Sequence, residues 1–192
     1  MAGLNLVKGQ KLDLTKGANL RTICLAAGWD VAGAAGGEYD LDIFLIGLDE
    51  NNNAIPGKTV FFNDMQAIGG CSLDGDNRTG EGDGDDETIT INIPQIEPQI
   101  KSLVCAISIY DAANRRQDFG KVRNAYVRVY NQENNQELLK FDLSEDYGTN
   151  TAVVAGKLYE HNGEWKFQAM GEGMTGDMNA VVAKTAEITA KF

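Results

Sequence analysis

Between residues 74 and 87 the chain reads DGDNRTGEGDGDDE, in which seven of fourteen residues are acids set against the single base Arg78. Two carboxylates about 5 Å apart repel by roughly 3 kcal/mol at an effective dielectric near 20. An ordered loop of this composition therefore needs a counter-charge. Hard divalent cations supply one: calcium takes about six to eight oxygen ligands in flexible geometry, and Asp, Asn, Glu and backbone carbonyls provide them. Gly80, Gly82 and Gly84 allow the tight turns that aim carbonyls inward. Magnesium fits less well, because it prefers few carboxylates and several waters. One histidine and three scattered cysteines build no zinc or copper site.

The loop is not an EF-hand. Counting from Asp74, the sixth position is Thr79 where that motif needs glycine, and the twelfth is Asp85 where it needs glutamate. Further oxygen donors are expected from Asp40 and Asp42, which share one side of a strand start, and from Asp30 at the end of the preceding strand. A solvated acidic face that binds nothing is the plain alternative.

The elements that must position these acids read as strands. Residues 88–93 alternate strictly, with Ile89, Ile91 and Ile93 on one face. Similar signals fall at 5–7, 12–14, 20–25, 41–48, 59–62, 103–110, 125–130, 138–143 and 153–159. Residues 159–167 form a hairpin around Asn162-Gly163. Helix is scarce: a short turn at 96–102 and a terminal helix over 178–190. The expected fold is mainly all-β, an antiparallel β-sandwich of two sheets with long acidic loops and a short C-terminal helix. Residues 1–192 are expected to form one domain.

Composition narrows the function. The chain carries 17 basic and 28 acidic residues, a net charge of −11, which argues against nucleic acid or an anionic membrane surface as partner. No apolar run reaches the roughly 18 residues of a membrane span. The N-terminus has no signal-peptide pattern, and the cysteines Cys24, Cys71 and Cys105 show no paired spacing, so a reducing cytoplasmic location is expected. His161 precedes a turn and is expected at the surface. No GxSxG elbow occurs, and the acidic loop cannot cradle phosphate. The bases Arg115, Arg116, Lys121, Arg123 and Arg128 are expected to pair with acidic loops.

Nine motifs in order resemble the TerD family, calcium-binding bacterial proteins of tellurite-resistance and stress-response operons. They are LVKG at 6–9, GWD at 28–30, YDLD at 39–42, FFND at 61–64, the acidic loop, SIYDA at 108–112, QDFGKVRNA at 117–125, DLSED at 142–146 and GEWKF at 163–167. The resemblance covers residues 4–173. It implies a two-sheet sandwich holding two calcium ions at one end, without known catalytic activity. The ligand set it implies is Asp30, Asp40, Asp42, Asp76, Asn77, Glu81, Asp83, Asp85, Asp86 and Glu87, with carbonyls from loop glycines such as Gly80. Other stress-response or tellurite-resistance proteins are the implied partners. The tail after Gly173 and the featureless segment 32–37 depart from the family pattern. A calcium-dependent carbohydrate-binding or hydrolytic module is the alternative function, and a structural assembly subunit a third.

Overall fold

A computed structural model describes residues 6–14, 20–30, 39–81 and 84–192. Two antiparallel sheets face each other across an apolar core. Their strands, in chain order, are β1 (Lys11–Asp13), β2 (Thr22–Asp30), β3 (Leu41–Leu48), β4 (Ala54–Val60), β5 (Cys71–Leu73), β6 (Glu87–Asn92), β7 (Ser102–Ile109), β8 (Arg123–Asn131), β9 (Glu137–Asp142), β10 (Ala152–His161) and β11 (Glu164–Met174). One sheet has the order β1-β11-β10-β7-β3-β4 and the other β5-β6-β2-β8-β9. Three helices are added: α1 (Ala112–Arg115), α2 (Leu143–Asp146) and α3 (Met178–Thr189).

The mainly-β architecture and the C-terminal helix agree with the sequence reading; several boundaries do not. The short turn expected at 96–102 is present at residues 98–99, closed by the Ile100 amide donating to the Glu97 carbonyl at 2.9 Å, and a 3-10 turn at Ile93–Gln95, where Pro94 supplies a preset φ, precedes it. Residues 6 and 7 are not in a strand, and residue 5 lies outside the described residues. The strand expected at 59–62 runs instead from Ala54, through Pro56 and Gly57, which an edge strand such as β4 tolerates. The Asn162-Gly163 turn has φ of 56° and 76°, and His161 pairs with Glu164 across it. Both positive values match a type I′ hairpin.

β3 and β7 are buried along their whole length, and the sheet packing explains why. Their inward residues, Ile43, Leu45, Cys105 and Ile107 among them, join the core between the sheets. Their outward residues, Phe44, Ile46, Val104 and Ala106, form a second apolar cluster with Val181 and Ile188 of α3. The spacing Val181, Thr185, Ile188 is one stripe of a helix. Thr185 and Thr189 on that buried stripe satisfy their hydroxyls on the carbonyls of Val181 and Thr185, each at 2.9 Å. Asp177 caps the helix by accepting from the Ala180 amide at 2.9 Å. No helix among the described residues is long and apolar enough to cross a membrane.

Candidate metal centre

The acidic residues gather where the starts of β3 and β6 meet the loop between β5 and β6. Asp40 precedes β3 and Asp42 lies just inside it; both are buried. Asp76 comes from the β5–β6 loop. One carboxylate oxygen from each of the three lies within 4.8 Å of the others. Calcium takes its oxygens at about 2.3–2.6 Å, so a small inward adjustment of these side chains brings all three onto one ion. The acids line a cleft of about 270 Å³, walled by Phe62, Asn63, Arg78 and Tyr110.

Hydrogen-bond accounting separates these carboxylates from the rest. Asp40 is 5% exposed, and its Oδ1 is buried with no partner. Its Oδ2 has only the exposed Arg78 guanidinium, with Nε 3.8 Å away. The Asp42 carboxylate accepts no hydrogen bond among the described residues and is 7% exposed. An unsatisfied buried polar group costs about 1–3 kcal/mol, more when charged. Burial first, and then the neighbouring Asp40 and Asp76 charges, push the Asp42 carboxyl up to about 7. Asp40 is raised for the same reasons, burial leading and Asp76 second. Two desolvated carboxylates and a third at the surface, with one oxygen from each brought close, suit a hard dication, and the all-oxygen donor set suits calcium.

The remaining acids of the loop hold it in place. Asp85 accepts from Arg128 Nε at 2.8 Å, from Arg128 NH2 at 2.6 Å and from the Tyr126 hydroxyl at 2.9 Å. That is the pairing expected for the basic cluster, and it occupies both Asp85 oxygens. Asp86 accepts from the Trp29 amide at 2.8 Å and from Asn77 Nδ2 at 3.0 Å. The Trp29 amide is available because the β2–β8 register shifts between Gly28 and Asp30, as a bulge leaves one residue out of the ladder. Glu87, fully buried, accepts from the Ile43 amide at 3.0 Å and the Asn77 amide at 3.2 Å. Burial nonetheless pushes its carboxyl up to about 9.

Asn77 is the loop's anchor. Its backbone and side-chain nitrogens bind Glu87 and Asp86, while its Oδ1 accepts the amides of Thr79 and Gly80 at 3.1 and 3.0 Å. These bonds fix the residue next to Asp76. Gly80 has φ of +67°, and a Cβ there would lie 2.4 Å from Trp29 Nε1. That nitrogen donates to the Tyr39 carbonyl at 3.0 Å, directly before Asp40. Trp29 thus ties the loop to the strand that carries two members of the triad.

Asp30 stands apart, accepting from Asn124 Nδ2 at 2.6 Å beside a second cleft of about 310 Å³ that includes Gly84 and Asp142. Glu81 is exposed. Asp83 and Gly82 lie outside the described residues. Sequence reasoning missed Arg78, Phe62 and Tyr110 as neighbours of the triad. The FFND and SIYDA motifs contain the two aromatics and were the available signal.

The TerD domain family matches residues 1–184. General stress protein 16U of Bacillus subtilis is 42% identical over 179 residues, covering 91% of this chain and 93% of that protein. Tellurium resistance protein TerD of Serratia marcescens is 38% identical over 187 residues, covering 94% and 96%. These names speak of stress and resistance and state no reaction. Among solved structures, a homologue of the telluride resistance protein TerD from Streptomyces coelicolor superposes with a TM-score of 0.75 at 22% identity, over 85% of this chain and 95% of that one. That likeness concerns the fold. With nearly the full length matched, the chain belongs to the TerD family.

Proposed function

We propose that this chain is a non-enzymatic calcium-binding protein of the tellurium-resistance and stress-response kind, with Asp40, Asp42 and Asp76 as the heart of its metal centre. The observation that carries this reading is the gathering of one carboxylate oxygen each from Asp40, Asp42 and Asp76 within 4.8 Å of one another, beside a buried Asp40 Oδ1 that has no hydrogen-bond partner. Bound calcium supplies the positive charge that the exposed Arg78 alone leaves short against three carboxylates. The chain's own residues do the rest. Asn77, Glu87 and Trp29 hold the loop so that Asp76 faces the two buried acids, and loading then fixes a neutralised face on which partner proteins dock. A second ion, which the resemblance to calcium-binding family members implies, would draw on acids outside the triad. Asp30, with Gly84 and Asp142 beside it, is the described candidate.

The names of the relatives support a resistance role, and the site supports binding over catalysis. The only histidine, His161, is exposed at the β10–β11 turn, and no histidine lines the cleft of the three acids.

Calorimetric titration of calcium into chelator-stripped protein tests the proposal. Saturable binding is expected, and at a hundredfold excess over Kd it stabilises by about 2.7 kcal/mol. For a chain of this size that is roughly 5–10 °C in Tm. The Asp40→Asn, Asp42→Asn double variant should lose most of this rise. If it kept the full calcium shift, the triad would not be the metal centre.

A further inference from the structure

On the far side of Phe62 and Tyr110 lies a second cleft, of about 230 Å³, and Asp42 lines both. Its other walls are Phe61, Phe62, Tyr110 and the Asp177-Met178 start of α3, with Asp111 at the rim. The rings meet edge to face, with centroids 5.3 Å apart for Phe61–Phe62 and 5.9 Å for Phe62–Tyr110. Tyr110 is 42% exposed, and among the described residues only Val7 is a more exposed large hydrophobic side chain. No lysine or arginine lines the cleft, although three of its lining residues are aspartates.

The chemistry of these walls selects a ligand. The three carboxylates reject anions, and the aromatic walls favour a cation with a flat organic face over a bare metal ion. A neutral apolar group would give nothing to the buried Asp42 carboxylate, which accepts no hydrogen bond among the described residues. A planar organic cation meets both demands, lying against ring faces while its N–H groups reach carboxylates. The molecule already contains that pairing, since the Arg115 guanidinium carbon stands 5.3 Å from the Tyr110 ring centroid. The volume falls below the range of small-molecule sites, about 300–1,000 Å³. It suits one side chain.

We propose that this cleft receives an arginine side chain from a basic segment of a partner protein. The net charge of −11 favours approach of such a partner. The inference goes beyond the preceding reading: it concerns the metal-free chain, and calcium bound at the shared Asp42 should compete with it.

The test is a backbone-amide NMR titration of the chelator-stripped protein with an acetylated, amidated Gly-Arg-Gly peptide. The same peptide with citrulline in place of arginine is the neutral control. Saturable shifts are expected at residues 61–62, 110–111 and 177–179, and absent with citrulline. The Asp111→Asn, Asp177→Asn double variant should weaken binding by roughly fivefold or more, as should Tyr110→Leu. Asparagine still caps α3, so folding is kept. A Glu133→Gln, Glu145→Gln variant removes the same charge at exposed positions outside the cleft and should bind as the parent does. No saturable binding, shifts spread over the acidic surface, or equal losses in the two double variants would each overturn the proposal. Because the titration is run without metal, none of these outcomes touches the calcium reading, which is judged by the calcium titration.

Discussion

Two groups of carboxylates lie within one small region and meet opposite fates. Asp85, Asp86 and Glu87 have their oxygens taken by Arg128, Tyr126, Trp29, Asn77 and Ile43. Asp40 and Asp42 are as deeply placed, yet one has an orphaned oxygen and the other accepts nothing among the described residues. Acid content cannot distinguish the groups, because the densest acidic run, residues 85–87, is the satisfied one. Partner accounting can. The first group is framework that uses charge to hold a loop. The second is a pair of buried carboxylates that the chain meets only with Arg78 and Arg115 charges nearby, and with no hydrogen bond to Asp42 among the described residues.

The largest effect that can break this contrast is Glu87→Ala. It leaves the Ile43 and Asn77 amides without acceptors and opens a cavity, which should cost about 2–4 kcal/mol whether or not calcium is present. Chemical denaturation with and without chelator reads this. Asp42→Asn should instead leave the chelated protein as stable as the parent or more so, since it removes a desolvated charge. Equal losses for the two variants in chelator would end the division into framework and ligand.

pH sharpens the same contrast. Burial raises Glu87 to about 9 and Asp42 to about 7, both above their unfolded values near 4. The folded, metal-free chain thus holds more protons than the unfolded one between those limits. Its stability is full below the unfolded values and falls as pH rises through the folded ones. The acids shifted downward, Glu97, Glu172 and Asp49, act with the opposite sign but below their ordinary values near 4. In chelator, Tm should therefore fall by several degrees from pH 5 to pH 8, and calcium should remove the Asp42 part of that slope while leaving the Glu87 part. A chelated Tm that climbs over this window would contradict both assignments.

How much of this the sequence carried depends on the kind of signal. Strict alternation made β6 plain, and the long apolar runs of β3 and β7 were equally plain as strands. Only the structure shows that those runs are apolar on both faces because α3 covers the outer one. The second half of β2, Ala26-Ala27-Gly28-Trp29-Asp30, was legible only at its end, where Asp30 was read as closing the strand, because Ala and Gly are poor strand signals. Yet this piece carries the bulge and Trp29, on which the loop rests. Asp40, Asp42 and Asp76 were named as candidates from type and spacing. Their separation from Asp85 and Glu87 was not, since it depends on Arg128 and the Ile43 amide arriving from other strands.

The smallest expected effect concerns Arg78, the one base inside the loop. Its Nε is 3.8 Å from Asp40 Oδ2, and the side chain is 68% exposed. An exposed pair of this kind adds little stability, so Arg78→Gln should shift the chelated protein by no more than about 0.5 kcal/mol. Its influence on a dication in the same cleft is larger, because the charges multiply. At about 6 Å in a water-like dielectric, a single and a double charge repel by roughly 1.4 kcal/mol, a tenfold change in affinity before salt screening. Arg78→Gln should therefore tighten calcium binding by roughly three- to tenfold in calorimetry, and Arg78→Lys should leave it near the parent value. Weaker binding in Arg78→Gln would give the arginine the opposite role: it would then belong to the framework, holding Asp76 against Asp40, and the line between the two carboxylate groups would have to be redrawn through the loop itself.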